Sequence, residues 1–182
     1  MVSLTWNFDN QFASGIYGHN GLTDLGKDVV KELETYNVVL DVSHLNDKSF
    51  YDVCHVTSRP CVASHSNCRS ICNNLRNLSD DQIRVLISKN GLIGINLYPL
   101  FINGSNTIDF IDIAKHIDHL IKLGAERCIA LGTDFDGCNM SKGFSKVSDI
   151  NKLYQYISFE YGKSFSDDIF FNNAYNFFIN ME

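Results

Sequence analysis

Five short stretches of the chain are apolar at their centres without alternating: SLTWNF (3–8), NVVLDVSH (37–44), PCVASHS (60–66), GLIGINLY (91–98) and RCIALGTDF (127–135). Continuous rather than period-two apolarity marks strands buried on both faces, as in a parallel sheet. Between them the apolar positions recur at helical spacing. Leu25, Val29, Val30 and Leu33 form one face in 23–35, with Thr23 or Asp24 as N-cap. Asn46 caps a short helix carrying Phe50, Val53 and Cys54. Ser79 opens SDDQIRVLISKNG with two acids in its first turn, and Gly91 stands where a left-handed residue ends it. Thr107 to Leu123 places Ile113, Ile117, Leu120 and Ile121 on one side, ending at Gly124. Two further helices are expected at about 149–161 and 166–180.

Strand and helix thus alternate, which predicts a parallel sheet with helices outside it. Five such units fit an open doubly wound sheet or part of a (β/α)8 barrel. A whole barrel takes about 250 residues, more than the 182 here, so a single domain over 1–182 is expected.

Composition narrows the class. A net charge of −6 without a basic stripe argues against nucleic-acid binding. No apolar run approaches the roughly 18 residues of a membrane span, and the first residues lack a signal-peptide pattern. A cytoplasmic protein without membrane or nucleic-acid partners is the expectation. The six cysteines form no CxxC pair. Cys54, Cys61 and Cys128 lie among apolar residues, as buried free thiols do.

The chemistry collects where strands end. His44 ends the second run, His65 and Ser66 the third, Asn96 and Tyr98 the fourth, Asp134 and Asp136 the fifth. In both architectures this edge binds ligands. One such histidine would be an ordinary core residue. Two on successive strands, about 4.8 Å apart, can share one ion, and imidazole suits zinc. Asp134 fits a ligand, an orienter of ligands or a substrate contact. Asp136-Gly137 reads as a turn. His19 reads as a solvated loop residue, while His55 and His119 read as surface or helix-packing groups.

DVSHLNDKSFYDV, ASHSNCR, NLRNLSDDQIR and ALGTDFDG together resemble the membrane dipeptidase family, peptidase family M19. His44 and His65 are 21 positions apart and Arg76 follows 11 later. LTWN, GLTDLGKDVVKELE and the ending VSDINKLYQYI…FFNNAYNFF fit as well, so the likeness covers essentially the whole chain. The resemblance implies a (β/α)8 barrel with two zinc ions that hydrolyses dipeptides. It implies His44 and His65 as ligands of one zinc and Arg76 as the group that binds the substrate carboxylate. Asp134 would stand by the attacking water or the substrate amine, as a catalytic and substrate-binding residue.

The resemblance also implies an HxD pair, a bridging glutamate and a further histidine before LTWN, none of which this sequence contains. His116-Ile117-Asp118 matches HxD in letters only, because it falls inside a helix. The chain is therefore expected to be strands four to eight of the barrel, from a truncated frame or a split gene. At most one weak zinc site is expected, with impaired hydrolysis, or else a half-barrel that works only as a homodimer or with a complementing N-terminal fragment. The aromatic tail (Phe165, Phe170, Phe171, Tyr175, Phe177, Phe178) reads as core packing, with some of it free to drive association.

Overall fold

The computed structural model describes residues 1–181. Five parallel strands lie in sequence order: β1 (Val2–Ser3), β2 (Leu40–Asp41), β3 (Val62–Ala63), β4 (Leu92–Ile95) and β5 (Ile129–Leu131). Each neighbouring pair is joined by a helical crossover: α1 (Asp24–Thr35), α2 (Asp47–Val56), α3 (Asp80–Ser88), then α4 (Pro99–Ile102) with α5 (Phe110–Lys122). After β5 come a 3-10 turn (Val147–Asp149), α6 (Ile150–Tyr161), α7 (Lys163–Asp167), a π turn (Asp168–Asn172) and α8 (Asn173–Ile179). Consecutive strand order is that of a barrel wall rather than a doubly wound sheet, whose order reverses at a switch point. The chain forms part of a (β/α)8 barrel.

The helix starts follow from their caps. Thr23, not Asp24, caps α1 by accepting the Gly26 N–H at 3.0 Å. Asn46 accepts the Ser49 N–H at 2.8 Å. Ser79 and Gln82 exchange hydrogen bonds at the start of α3, satisfying two amides that a helix end leaves free. The end of α3 differs from expectation. Asn90 takes the left-handed conformation, with φ 53°. Gly91 is needed for proximity instead, since a Cβ there would lie 2.5 Å from the Cys61 carbonyl oxygen. Helix α5 begins at Phe110, because the Asp109–Asp112 capping box sets its start. The last predicted helix is split by the π turn, and α4, with Pro99 at its first position, went unpredicted. The strands are shorter than their apolar runs, and Asn7 and Phe8 belong to a loop.

Alternation along the strands divides two cores. Leu40, Ala63, Ile93, Ile95 and Ile129 pack against the helices with Phe50, Ile83, Leu86, Ile113, Ile117 and Leu153. Val39, Val62, Leu92 and Ala130 face the other way and are covered by Ala174, Phe177 and Met181. Two residues further along each strand, that inner face carries Asp41, Ser64, Gly94 and Gly132. There the chains crowd: a Cβ on Gly94 or Gly132 would come within about 2.0 Å of the Ser64 carbonyl oxygen. The aromatic tail is divided likewise. Phe165 and Phe170 pack on the main core and Phe177 on the second, whereas Phe171, Tyr175 and Phe178 are exposed.

His116 is fully buried and works as a clamp. Its Nε2–H donates to the Ile102 carbonyl at 2.8 Å, and its Nδ1 accepts the Cys68 N–H at 3.1 Å. This joins α5 to α4 and to the loop after β3. Burial depresses its pKa to about 4, so the folded chain resists the proton that the unfolded chain takes up near pH 6.5. Its stabilising contribution is intact above about pH 6.5 and drains away as pH falls toward 4, at about 1.4 kcal/mol per pH unit. Urea midpoints at pH 7 and 4.5 test this. The fall between them shrinks in His116→Phe, and an undiminished fall counts against the clamp as its source.

Candidate functional site

At the C-terminal ends of the strands, the loops after β1 to β5 enclose a cavity of about 630 Å3. It is lined by Trp6, Asn7, Tyr17, His44, Arg76, Tyr98, Phe101 and Asp134 among others. The size suits a small molecule.

His44 and His65 leave adjacent strands β2 and β3, and their rings meet with centroids 4.9 Å apart and Nε2 atoms 2.9 Å apart. Hydrogen-bond partners assign the tautomers. His44 Nδ1 lies 3.0 Å from Asn7 Oδ1, an acceptor, so Nδ1 carries the proton. His65 Nδ1 lies 2.6 Å from Ser64 Oγ, whose own proton goes to the Asp41 carboxylate at 2.5 Å. That oxygen therefore accepts, and His65 is protonated at Nδ1 as well. Two Nε2 lone pairs are thus aimed at one point with no hydrogen between them. Burial first, and the Arg76 charge second, lower the pKa of both rings, that of His44 to about 3. Both are neutral donors at neutral pH, the form that binds metal.

Arg76 stands beside them. Its Nη2 lies 3.5 Å from His44 Nε2 and its guanidinium carbon 5.5 Å from the Phe101 ring centroid. The side chain is buried, and Nη1 has no hydrogen-bond partner. Burial pulls its pKa down to about 10, against the pull of Asp134 and Asp41. The guanidinium stays charged, sheltered from water and short of an anion. The loop carrying it is braced by Asn77, which donates 2.8 Å bonds to the carbonyls of Cys72 and Phe101.

Asp134 follows β5 with φ 60°, opening a turn closed by the Gly137 N–H at 3.1 Å. The Asp-Gly turn falls where its sequence places it. Asn96, fully buried at the end of β4, donates to Asp134 Oδ2 at 3.0 Å and to the His65 carbonyl at 3.3 Å. Of the four residues singled out in the sequence, His44, Arg76 and Asp134 thus line one cavity, and His65 meets it through its contact with His44. His19 and His55 are exposed and away from it. His119 bridges helices, 2.8 Å from Asp80.

Comparison with known proteins places this geometry. The model of the membrane dipeptidase family, peptidase family M19, matches residues 1–173. The chain belongs to that family. Among its relatives, a Klebsiella pneumoniae protein encoded in the pqqA 5' region is 35% identical over 160 residues, 81% of this chain and 59% of that protein. Dipeptidase aclJ of Aspergillus oryzae is 32% identical over 83% of this chain and 37% of its own length. A metallo peptidase from Rhodobacter sphaeroides, crystallised with a phosphinate mimic of the dipeptide L-Ala-D-Ala, superposes with a TM-score of 0.94 at 27% identity. That match covers 99% of this chain and 55% of the crystallised one. The chain therefore spans between about a third and three fifths of these relatives. The family is one of metallodipeptidases, hydrolases by class.

The donor set fits a metal ion on one flank. Two neutral imidazoles converge on one position, each held by a hydrogen bond through its far nitrogen, as metal-binding histidines are. Among the described residues no third His, Cys, Asp or Glu joins them in a metal-binding group. Asn7, Asp41 and Ser64 were not singled out in the sequence, and Asn96 was marked only as the polar end of its run. Asp41 left a trace there: a carboxylate inside an apolar run, rarely buried without partners. Asn7 left none, because an asparagine in a loop is the ordinary case.

Proposed function

We propose that this chain carries part of the site of a zinc-dependent dipeptidase, which cleaves the peptide bond of dipeptides. The observation behind this reading is the convergence of two neutral imidazole lone pairs beside a buried guanidinium that lacks an anion. His44 and His65 are two ligands of the zinc. Arg76 takes the carboxylate of the substrate, a task for a planar donor fork. Asp134, fixed by Asn96, accepts a proton or hydrogen bond from the attacking water or the substrate amine. What zinc supplies when bound is polarisation of the scissile carbonyl and a more acidic water. A dipeptide is the size of ligand the cavity admits, and the Rhodobacter relative was crystallised with a dipeptide mimic.

A catalytic zinc normally has three protein ligands, and the described residues offer two. The 182-residue chain by itself is therefore expected to hydrolyse dipeptides little or not at all. The test is release of alanine from Ala-Ala with added zinc. Hydrolysis that disappears in His44→Ala and with a chelator would show the chain sufficient alone and overturn this expectation.

A second reading rests on the sheet ends. Among the described residues β1 and β5 each pair on one side only, and β1 is exposed. Such edges are templates for pairing, either with a second copy or with a complementing N-terminal fragment. A monomer that unfolds cooperatively argues against an obligate partner, and a dimer by light scattering argues for one.

A further inference from the structure

Asp41 ends β2 on the inner face of the sheet, 7% exposed. Its Oδ1 accepts from the Ser43 hydroxyl at 2.7 Å, the Ser43 N–H at 3.0 Å and the Ser64 N–H at 3.1 Å. Its Oδ2 accepts from the Ser64 hydroxyl at 2.5 Å and the Ser3 hydroxyl at 3.2 Å. Ser43 Oγ in turn accepts the His65 N–H at 3.1 Å. The carboxylate thus binds β2 to β3 at the strand ends that lead into both histidines.

The directions of these bonds carry the argument. A carboxylate only accepts, and a hydroxyl has a single proton. With that proton held by Asp41, and the Ser43 proton also held there, Ser64 Oγ, 3.2 Å from Ser43 Oγ, has only acceptor capacity left for its third neighbour, His65 Nδ1 at 2.6 Å. A free serine hydroxyl beside an imidazole could point either way and would tolerate both tautomers. The carboxylate removes that freedom. His44 has a simpler arrangement, one direct contact with Asn7 Oδ1.

We propose that Asp41 and Ser64 are positioning residues: through the Ser64 hydroxyl, Asp41 fixes the tautomer and ring direction of His65, so that its Nε2 lone pair faces the site. This deepens the reading of His65 as a zinc ligand and rests on it, but its first readout needs no zinc. Outer partners of metal-binding histidines typically change metal affinity by about 10–100-fold when removed.

The test begins with the zinc-free chain, whose histidine ring nitrogens are read by long-range proton–nitrogen NMR. In the wild type His65 carries its proton on Nδ1. In Ser64→Ala it shifts toward a mixture with the Nε2–H form, while His44 is unchanged. Ser64→Thr keeps a hydroxyl and keeps the wild-type signals, which separates the relay from packing. Zinc affinity, measured against a chromophoric chelator, falls about 10–100-fold in Ser64→Ala and stays near wild type in Ser64→Thr. Asp41→Asn follows Ser64→Ala if it folds. Ser64→Ala with unchanged His65 ring signals and unchanged zinc affinity overturns the proposal. A wild-type chain that binds no zinc sinks the ligand reading, and the ring signals then still decide the relay.

Discussion

Replacing His44 and His65 together by alanine is expected to abolish zinc binding by this chain. The wild type, equilibrated with limiting zinc, should hold at most one ion per chain, because two imidazoles make an incomplete ligand set. Removing the two nitrogens that meet at 2.9 Å leaves no converging ligand group among the described residues. Each single variant keeps one imidazole and should lose at least as much affinity as outer partners do, about 10–100-fold. Elemental analysis after desalting gives the count. Equal zinc in wild type and double variant would refer the metal to other residues. Close to two ions per wild-type chain would mean that ligands come from a second copy.

Arg76→Met should move stability and binding in opposite directions. The guanidinium is buried, lacks a partner at Nη1 and keeps its charge. A buried charge without its counter-ion costs several kcal/mol, whereas its stacking on Phe101 returns about 2 kcal/mol. A methionine follows the aliphatic stem of the arginine without the charge. The ligand-free chain should gain about 1–3 kcal/mol, read from urea midpoints. Binding of a phosphinate dipeptide mimic should weaken by about 100-fold or more, since the carboxylate loses its charged partner. A carboxyl-amidated mimic, which never had that partner, should bind both forms equally. A less stable variant with undiminished carboxylate binding would show that Arg76 serves the fold instead.

The barrel wall could be read in the sequence because strands buried on both faces write themselves as unbroken apolar runs. GLIGINLY is such a run, and its four central residues are all buried. His44, His65 and Asp134 were legible for a related reason: each breaks an apolar run at its polar end. Arg76 was found through its company, by resemblance. The short helix α4 was not legible, being four residues long with no helical period to show. The left-handed end of α3 was assigned to Gly91 because glycine is the commonest residue there. Asn90 serves equally well, and Gly91 answers to a contact with Cys61 that no local pattern reveals. Asn96 was visible as the polar end of its run, but its partners were not, since they lie 31 and 38 residues away.

The facing nitrogens of His44 and His65 have a consequence for elemental selectivity. Two neutral imidazoles ask for positive charge, and by the usual order of affinities copper and nickel answer at least as readily as zinc. This half of the site decides that a cation enters and leaves open which one. Discrimination falls to the remaining ligands and to whichever metals the surroundings leave free. The same chain loaded from different metal pools should therefore emerge as chemically different proteins with one fold.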